Sequence, residues 1–237
     1  MLLIASVTIL SSVVTPFLRT LQTENLVSLD WGGYGVSSNV LFPQPFVTSI
    51  NGSWIVPAVS VSAVDTFSAA WIGIGGQTDT TLLQCGSESD SINGQAEYGL
   101  WYEMLPADAT NIPNINVSPG DKITASITLT DSNTNTWLIE LNDVTTGQGF
   151  SQNFVYNSSR LTAEWIIERP TVNNQISTLA NFGTVAFTDA QAQIGTATGT
   201  ISGFPNYLIL MEDRQNNQLV TISNLSKDGS SFTVSHP

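Results

Sequence analysis

Carboxylates and an amide set in apolar strands are the residues of this chain best placed to do chemistry. The segment TAEWIIERP, residues 162–170, carries Glu164 and Glu168 among Trp165, Ile166 and Ile167. Side chains alternate along a strand, so Glu164, Ile166 and Glu168 share one face, and Trp165 and Ile167 take the other. In AEYGLWYEMLP, residues 96–106, Trp101 and Glu103 likewise share a face opposite Tyr102 and Met104. A glutamate inside an apolar strand is costly to bury as an anion, so it is protonated, paired or functional. Aromatic neighbours exclude water and lift its pKa toward the range of a general acid or base. A third segment, AAWIGIGGQTDTTLLQCG at 69–86, contributes Gln84. Its uncharged amide can donate to a developing oxyanion. Each residue also has an ordinary reading. Glu164 fits a hydrogen-bonded structural carboxylate, Gln84 a turn amide, and Trp71 and Trp101 plain core. Glu168 fits a rim position salt-bridged to Arg169 or Arg214.

Other chemistries are poorly served. The only histidine is His236, the second-last residue. A nucleophile–histidine triad needs an imidazole held in a packed site, and zinc sites usually need several His or Cys ligands. No metal and no cofactor are therefore expected. Cys85 is the single cysteine, so no internal disulfide exists. Lacking a histidine to activate it, Cys85 reads as a small buried hydrophobe. No glycine-x-serine-x-glycine motif occurs.

The charge balance is lopsided, with 6 Lys and Arg against 19 Asp and Glu, a net charge of −13. Such a surface repels nucleic acid, whose binding runs on Lys and Arg. Only 11% of residues are charged, against about 25% in typical domains. A chain with few basic groups gains little positive charge when its carboxylates protonate, so it escapes the self-repulsion that drives acid unfolding. This composition suits an acidic exterior. The absence of disulfides does not argue against export, because a chain of 237 residues can build a sufficient core.

Strand signals dominate the elements that must position these residues. Runs rich in Val, Ile, Thr and aromatics predict strands over residues 53–57, 66–74, 98–105, 122–129, 137–142, 149–156, 163–168, 184–188, 206–211, 219–223 and 231–235. Turn formers separate them, notably SPGD, TDSNTN, TTGQG and SKDGS. The turns flanking TWLIELNDV suggest a meander of hairpins. No long 3.6-residue apolar period occurs, so little helix is expected. Residues 173–180 are compatible with a short helix or a loop. The expected fold class is all-β, a two-sheet antiparallel sandwich of about the size ordinary for one domain. Its boundary falls near Ser28, giving a single domain over 28–237. The first 17 or so residues are mostly apolar, with no charge before Arg19. Residues 1–27 read as a secretory signal, an anchor or a pro-segment. Asn-x-Ser sequons begin at Asn51, Asn116, Asn157 and Asn224.

Five pieces together resemble the glutamic peptidases, or eqolisins, of fungi and some prokaryotes. They are DWGGYG at 30–35, AAWIGIGG at 69–76, LLQCG at 82–86, LWYEMLP at 100–106 and TAEWIIERP at 162–170. They stand in family order and approximate spacing, in a chain like the prokaryotic type that lacks disulfides. The resemblance implies a concanavalin- or jelly-roll-like sandwich with a catalytic dyad, Gln84 and Glu164, on a concave face. It implies that Trp71 and Glu103 line the substrate cleft and that the substrates are polypeptides; Trp101 and Trp31 are expected to bind substrate beside them. It implies an acid endopeptidase in which an ionised resting Glu164 activates a water and Gln84 stabilises the oxyanion, and the enzyme is expected to be secreted and monomeric. The chain departs from fungal members at Gly75 and Gly99, where they carry aspartates, and at Cys85, where they carry threonine.

Two other functions fit the same residues. A lectin or carbohydrate-binding module would use exposed aromatics and have no shielded carboxylate. A glycosidase would set Glu103 against Glu164 across an open groove, with Gln84 elsewhere.

Overall fold

The computed structural model describes residues 24–237, and the expected signal or anchor lies, up to residue 23, outside them. Two eight-stranded sheets pack face to face. The first runs in the order Glu24–Ser28, Asn206–Met211, Trp31–Ser37, Thr162–Glu168, Ala69–Gly75, Leu82–Ile92, Gln95–Met104 and Thr110–Asn111. The first two of these pair in parallel and all other neighbours are antiparallel. The second sheet is built on the meander Lys122–Asp131, Thr136–Asp143 and Gln148–Val155. It continues through Val47–Ile55 and Thr184–Ile194 to Phe232–Ser235 and Thr221–Ile222. Ala197–Thr200 folds back on Thr184–Ile194.

Burial follows residue type. Thr136–Asp143 alternates between buried and half-exposed positions, as expected of a strand with one face on the core and one in water. The central strands of the first sheet differ. All seven residues of Ala69–Gly75 are buried, as are the first six of Thr162–Glu168. Their inner face packs on the second sheet through Ile72, Ile74, Ala163, Trp165 and Ile167. Their outer face is covered by a second apolar cluster of Ala69, Trp71, Leu82, Trp101, Ile166, Tyr207 and Ile209.

Two indoles bind the sheets together in opposite directions. Trp165 Nε1 donates to the Asn51 carbonyl at 2.8 Å, and Trp54 Nε1 donates to Ser87 Oγ at 2.8 Å. Both rings are fully buried, and a buried indole N–H needs such a partner. Trp165 thereby ties the strand that carries Glu164 to the opposite sheet.

The structure corrects several expectations. Residues 173–180 contain no helix. Thr171–Val172 and Gln175–Ile176 form a hairpin whose central Asn173 and Asn174 have φ of 52° and 61°. Asparagine tolerates this left-handed conformation, and such a turn matches strand twist. The only helix among the described residues is one 3₁₀ turn, Ile201–Gly203. The sheet takes in Glu24–Ser28, so the folded unit starts upstream of the boundary expected near Ser28. Trp31–Ser37 and Leu82–Ile92 are strands that the Gly- and Ser-rich sequence concealed.

Trp165→Ala removes both the ring and its link to Asn51. Denaturant unfolding should report a loss of about 3–5 kcal/mol, and a loss below about 1 kcal/mol would contradict this account of the packing.

Candidate active site

Register brings the functional side chains into one row across the outer face of the first sheet. Glu103 pairs with Gln84, Gln84 with Gly73, Gly73 with Glu164, Glu164 with Gly35, and Gly35 with Tyr207. Strands lie about 4.8 Å apart, so the backbones at Gln84 and Glu164 are separated by about 10 Å. Only Gly73 stands between them. A side chain there would meet the Trp71 ring at 2.8 Å and Gln84 Cβ at 3.2 Å. The glycine thus leaves a notch into which Gln84 and Glu164 reach from either side. Gly35 does the same for Tyr207, whose ring occupies the space a side chain at 35 would need.

Glu164 is fully buried. Tyr207 Oη donates to Glu164 Oε1 at 2.8 Å. Glu164 Oε2 is buried and has no hydrogen-bond partner in the protein. Burial pushes its carboxyl up to about 8, with the Thr162 and Tyr207 hydroxyls drawing it partly back and Asp79 adding to the rise. Burial favours the neutral acid, whereas hydrogen bonds to the carboxylate favour its ionised form. Gln84 Nε2 donates to Glu103 Oε2 at 2.5 Å, which orients the amide. Gln84 Oε1 is buried without a partner. Burial raises the Glu103 carboxyl, while the Gln84 amide works against the rise.

A groove of about 540 Å³ runs along this face. Gln84, Glu103, Trp101 and Trp31 line it, and Trp71 and Glu164 do not. Trp71 is fully buried and cannot offer a platform to substrate here. It packs within the outer-face cluster beside the site, meeting Trp31 edge-on with centroids 5.0 Å apart and donating Nε1 to Glu168 Oε2 at 2.7 Å. Glu168, expected at the rim and salt-bridged, instead lines the groove and accepts this indole bond. Burial pushes its carboxyl up to about 8, nearby Asp30 adds to the rise, and the two indoles oppose it. Asp90 is held at about 7, chiefly by burial, against the pull of the Ser68 amide. Glu88 Oε1 lies over Gly99, filling the place where a side chain at 99 would begin.

Sequence reasoning missed Tyr207 and undervalued Glu168. The signal for Glu168 was its shared face with Glu164. For Tyr207 there was none beyond its place in an apolar strand, because its role depends on which strands are neighbours. Cys85 faces the core, fully buried with its thiol pKa pushed up, so it takes no part. The row also separates the competing functions. A glycosidase needs Glu103 to face Glu164, yet Gln84 lies between them. A lectin needs no sealed carboxyl, and Glu164 is one.

Comparison with known proteins follows the same line. The model of the Peptidase A4 family matches residues 30–236. Aspergillopepsin-2 of Aspergillus niger is 30% identical over 213 residues, covering 80% of this chain and 73% of its own. The crystal structure of scytalido-glutamic peptidase with a transition state analog inhibitor superposes with a TM-score of 0.74 at 25% identity, covering 89% of this chain and 99% of that one. The crystal structure of aspergilloglutamic peptidase from Aspergillus niger gives 0.64 at 30% identity, covering 73% and 99%.

A raised carboxyl binds more protons folded than unfolded between its ordinary value of 4.5 and its shifted value of about 8. Its stabilising effect is complete below the first value and lost as pH rises through the second. The melting temperature should therefore fall between about pH 4 and pH 8, and Glu164→Gln should flatten that slope. A melting temperature that holds steady or climbs over this range would contradict the assignment.

Proposed function

Because this chain belongs to the Peptidase A4 family and is a glutamic endopeptidase, we propose that Gln84 and Glu164 are its catalytic dyad. The observation that carries the reading is a pair of buried oxygens, Glu164 Oε2 and Gln84 Oε1, without protein partners on either side of Gly73. A water donating one hydrogen to each would satisfy both, leaving a lone pair free for a peptide carbonyl.

Glu164 must first lose its own proton. The Tyr207 hydroxyl and a water on Oε2 each hydrogen-bond the carboxylate and favour the ionised form. An uncharged amide as partner adds no repulsion, whereas a second carboxylate would raise the pKa further. Glu164 then takes a proton from the attacking water as general base. The carbonyl oxygen becomes an oxyanion. Glu103 holds one Nε2 hydrogen of Gln84, and the other donates to the oxyanion, a contact worth about 2.7–4 kcal/mol. Protonated Glu164 finally gives its proton to the departing nitrogen, and the carbon–nitrogen bond breaks. The route uses no metal, no covalent acyl-enzyme and no second chain. Trp31, Trp101 and Glu103 line the groove that would take the polypeptide. The scarcity of Lys and Arg supports work in an acidic, extracellular setting.

Digestion of an unfolded protein at acid pH, with an aspartic-peptidase inhibitor present, tests the dyad. Folded Glu164→Gln protein should cleave nothing, and retained activity would refute the role given to Glu164. Gln84→Ala should lower kcat about 10²–10³-fold with a much smaller change in KM. A kcat within a few-fold of wild type would remove Gln84 from the chemistry.

Tyr207→Phe deletes a donor to the Glu164 anion, so the Glu164 pKa should rise further. The acid limb of the kcat/KM profile should move to higher pH. A limb that stays in place would mean that Tyr207 only packs.

A further inference from the structure

Past the end of the strand that bears Glu164, a second pocket of about 540 Å³ opens on the far side of the Thr171–Ile176 hairpin. Thr171 lines both this pocket and the groove. The pocket holds Arg169 and Arg214, two of only six basic side chains in the chain. We propose that Arg169 and Arg214 form a distal subsite that takes a carboxylate of the bound polypeptide. The proposal rests on the groove being the substrate cleft.

Three observations carry it. First, Arg169 is pre-oriented. Its Nε donates to the Leu29 carbonyl at 2.6 Å and its backbone N–H to the Asp30 carbonyl at 3.0 Å. That leaves the two terminal nitrogens of the guanidinium, the fork that matches a carboxylate. Burial lowers the Arg169 pKa, the mark of a cation losing water, while Asp30 and Asp213 offset this and Arg214 reinforces it.

Second, the carboxylate in the pocket is already committed. Asp213 Oδ1 accepts the backbone N–H groups of Gln215 and Asn217 at 2.8 Å each, and its Oδ2 accepts Asn217 Nδ2 at 2.8 Å. These bonds hold it in its own turn.

Third, the geometry and the pH fit a substrate. Arg169 lies five positions beyond Glu164, a rise of about 16 Å, so an extended peptide lying along the strand spans the distance in about five residues. As pH falls, the groove carboxyls take up protons, but guanidinium groups stay charged. Asp213 also holds its charge, since its hydrogen bonds with Asn217 lower its pKa, so the pocket keeps two cations against one anion. A carboxylate of the substrate, from an acidic side chain or from the chain's C-terminus, is the complementary group.

The test uses peptides with one cleavable centre. About five residues to either side stands Glu or Gln, and the C-terminus is a free acid or an amide. Wild type gives KM and kcat, and folded Glu164→Gln protein gives Kd without turnover, both at a pH just above the ordinary carboxylate range. A carboxylate on one side of the centre should lower KM and Kd about tenfold, with kcat little changed. Comparing Glu with Gln, and acid with amide, identifies which source is used. Arg214→Gln and Arg169→Gln should each bring the ratio toward one. Arg214 is exposed, so its variant is expected to fold even where the Arg169 variant does not. Equal Kd for all peptides, with cleavage intact in wild type, would overturn the subsite and leave the peptidase reading standing. A carboxylate preference in Kd without cleavage by wild type would do the reverse.

Discussion

A carboxyl group buried in the middle of a sheet is the constraint on which the rest of this structure depends. Ionised and alone, such a group would not survive burial. Glu164 is tolerated because burial favours its neutral form and the Tyr207 hydroxyl satisfies one of its oxygens. The other oxygen is left over, across a glycine from an equally unsatisfied amide oxygen. Unpaired buried acceptors cost free energy, and two of them here stand on either side of Gly73. Strain of this kind concentrates at functional sites, because only there does the rest of the fold have reason to support it.

The support comes from both sides of the strand. Below, Trp165 and its bond to Asn51 anchor the Glu164 strand to the opposite sheet. Above, Trp71, Ile166 and Tyr207 close over the carboxyl, and Trp71 passes its own N–H to Glu168. A strand buried on both faces, as Ala69–Gly75 and Thr162–Glu168 are, holds its side chains more rigidly than a loop would. Glu103, by taking one hydrogen of Gln84, decides which way the amide turns.

Charge is used sparingly and by position. In the groove, Glu103, Glu168 and Asp90 are shifted upward, above all by burial, so they lose their charge early as pH falls. Repulsion among them fades under the conditions in which carboxyl-rich proteins usually gain excess positive charge, and this chain has few cations to gain it with. The two arginines past the hairpin keep their charge throughout.

Much was legible in the residues themselves. Alternation assigned Glu164 and Glu168 to one face and Trp101 and Glu103 to another, because a strand's period depends only on local backbone geometry. The meander around TWLIELNDV was readable from its turns. Glycine- and serine-rich strands such as Leu82–Ile92 were not, because their stability comes from their neighbours and not from their own side chains. Motif order pointed to Gln84 and Glu164, but nothing local says that Gly73 lies between them. That adjacency is a matter of register between segments far apart in the chain, as is the contact of Tyr207 with Glu164, 43 residues away. Burial is likewise collective, so Trp71, read as a cleft residue, proved to be the buried support of one. The chemistry available was written in residue types and their period. Which side chains stand next to one another, and which oxygens are left without protein partners, was decided only when the strands found their neighbours.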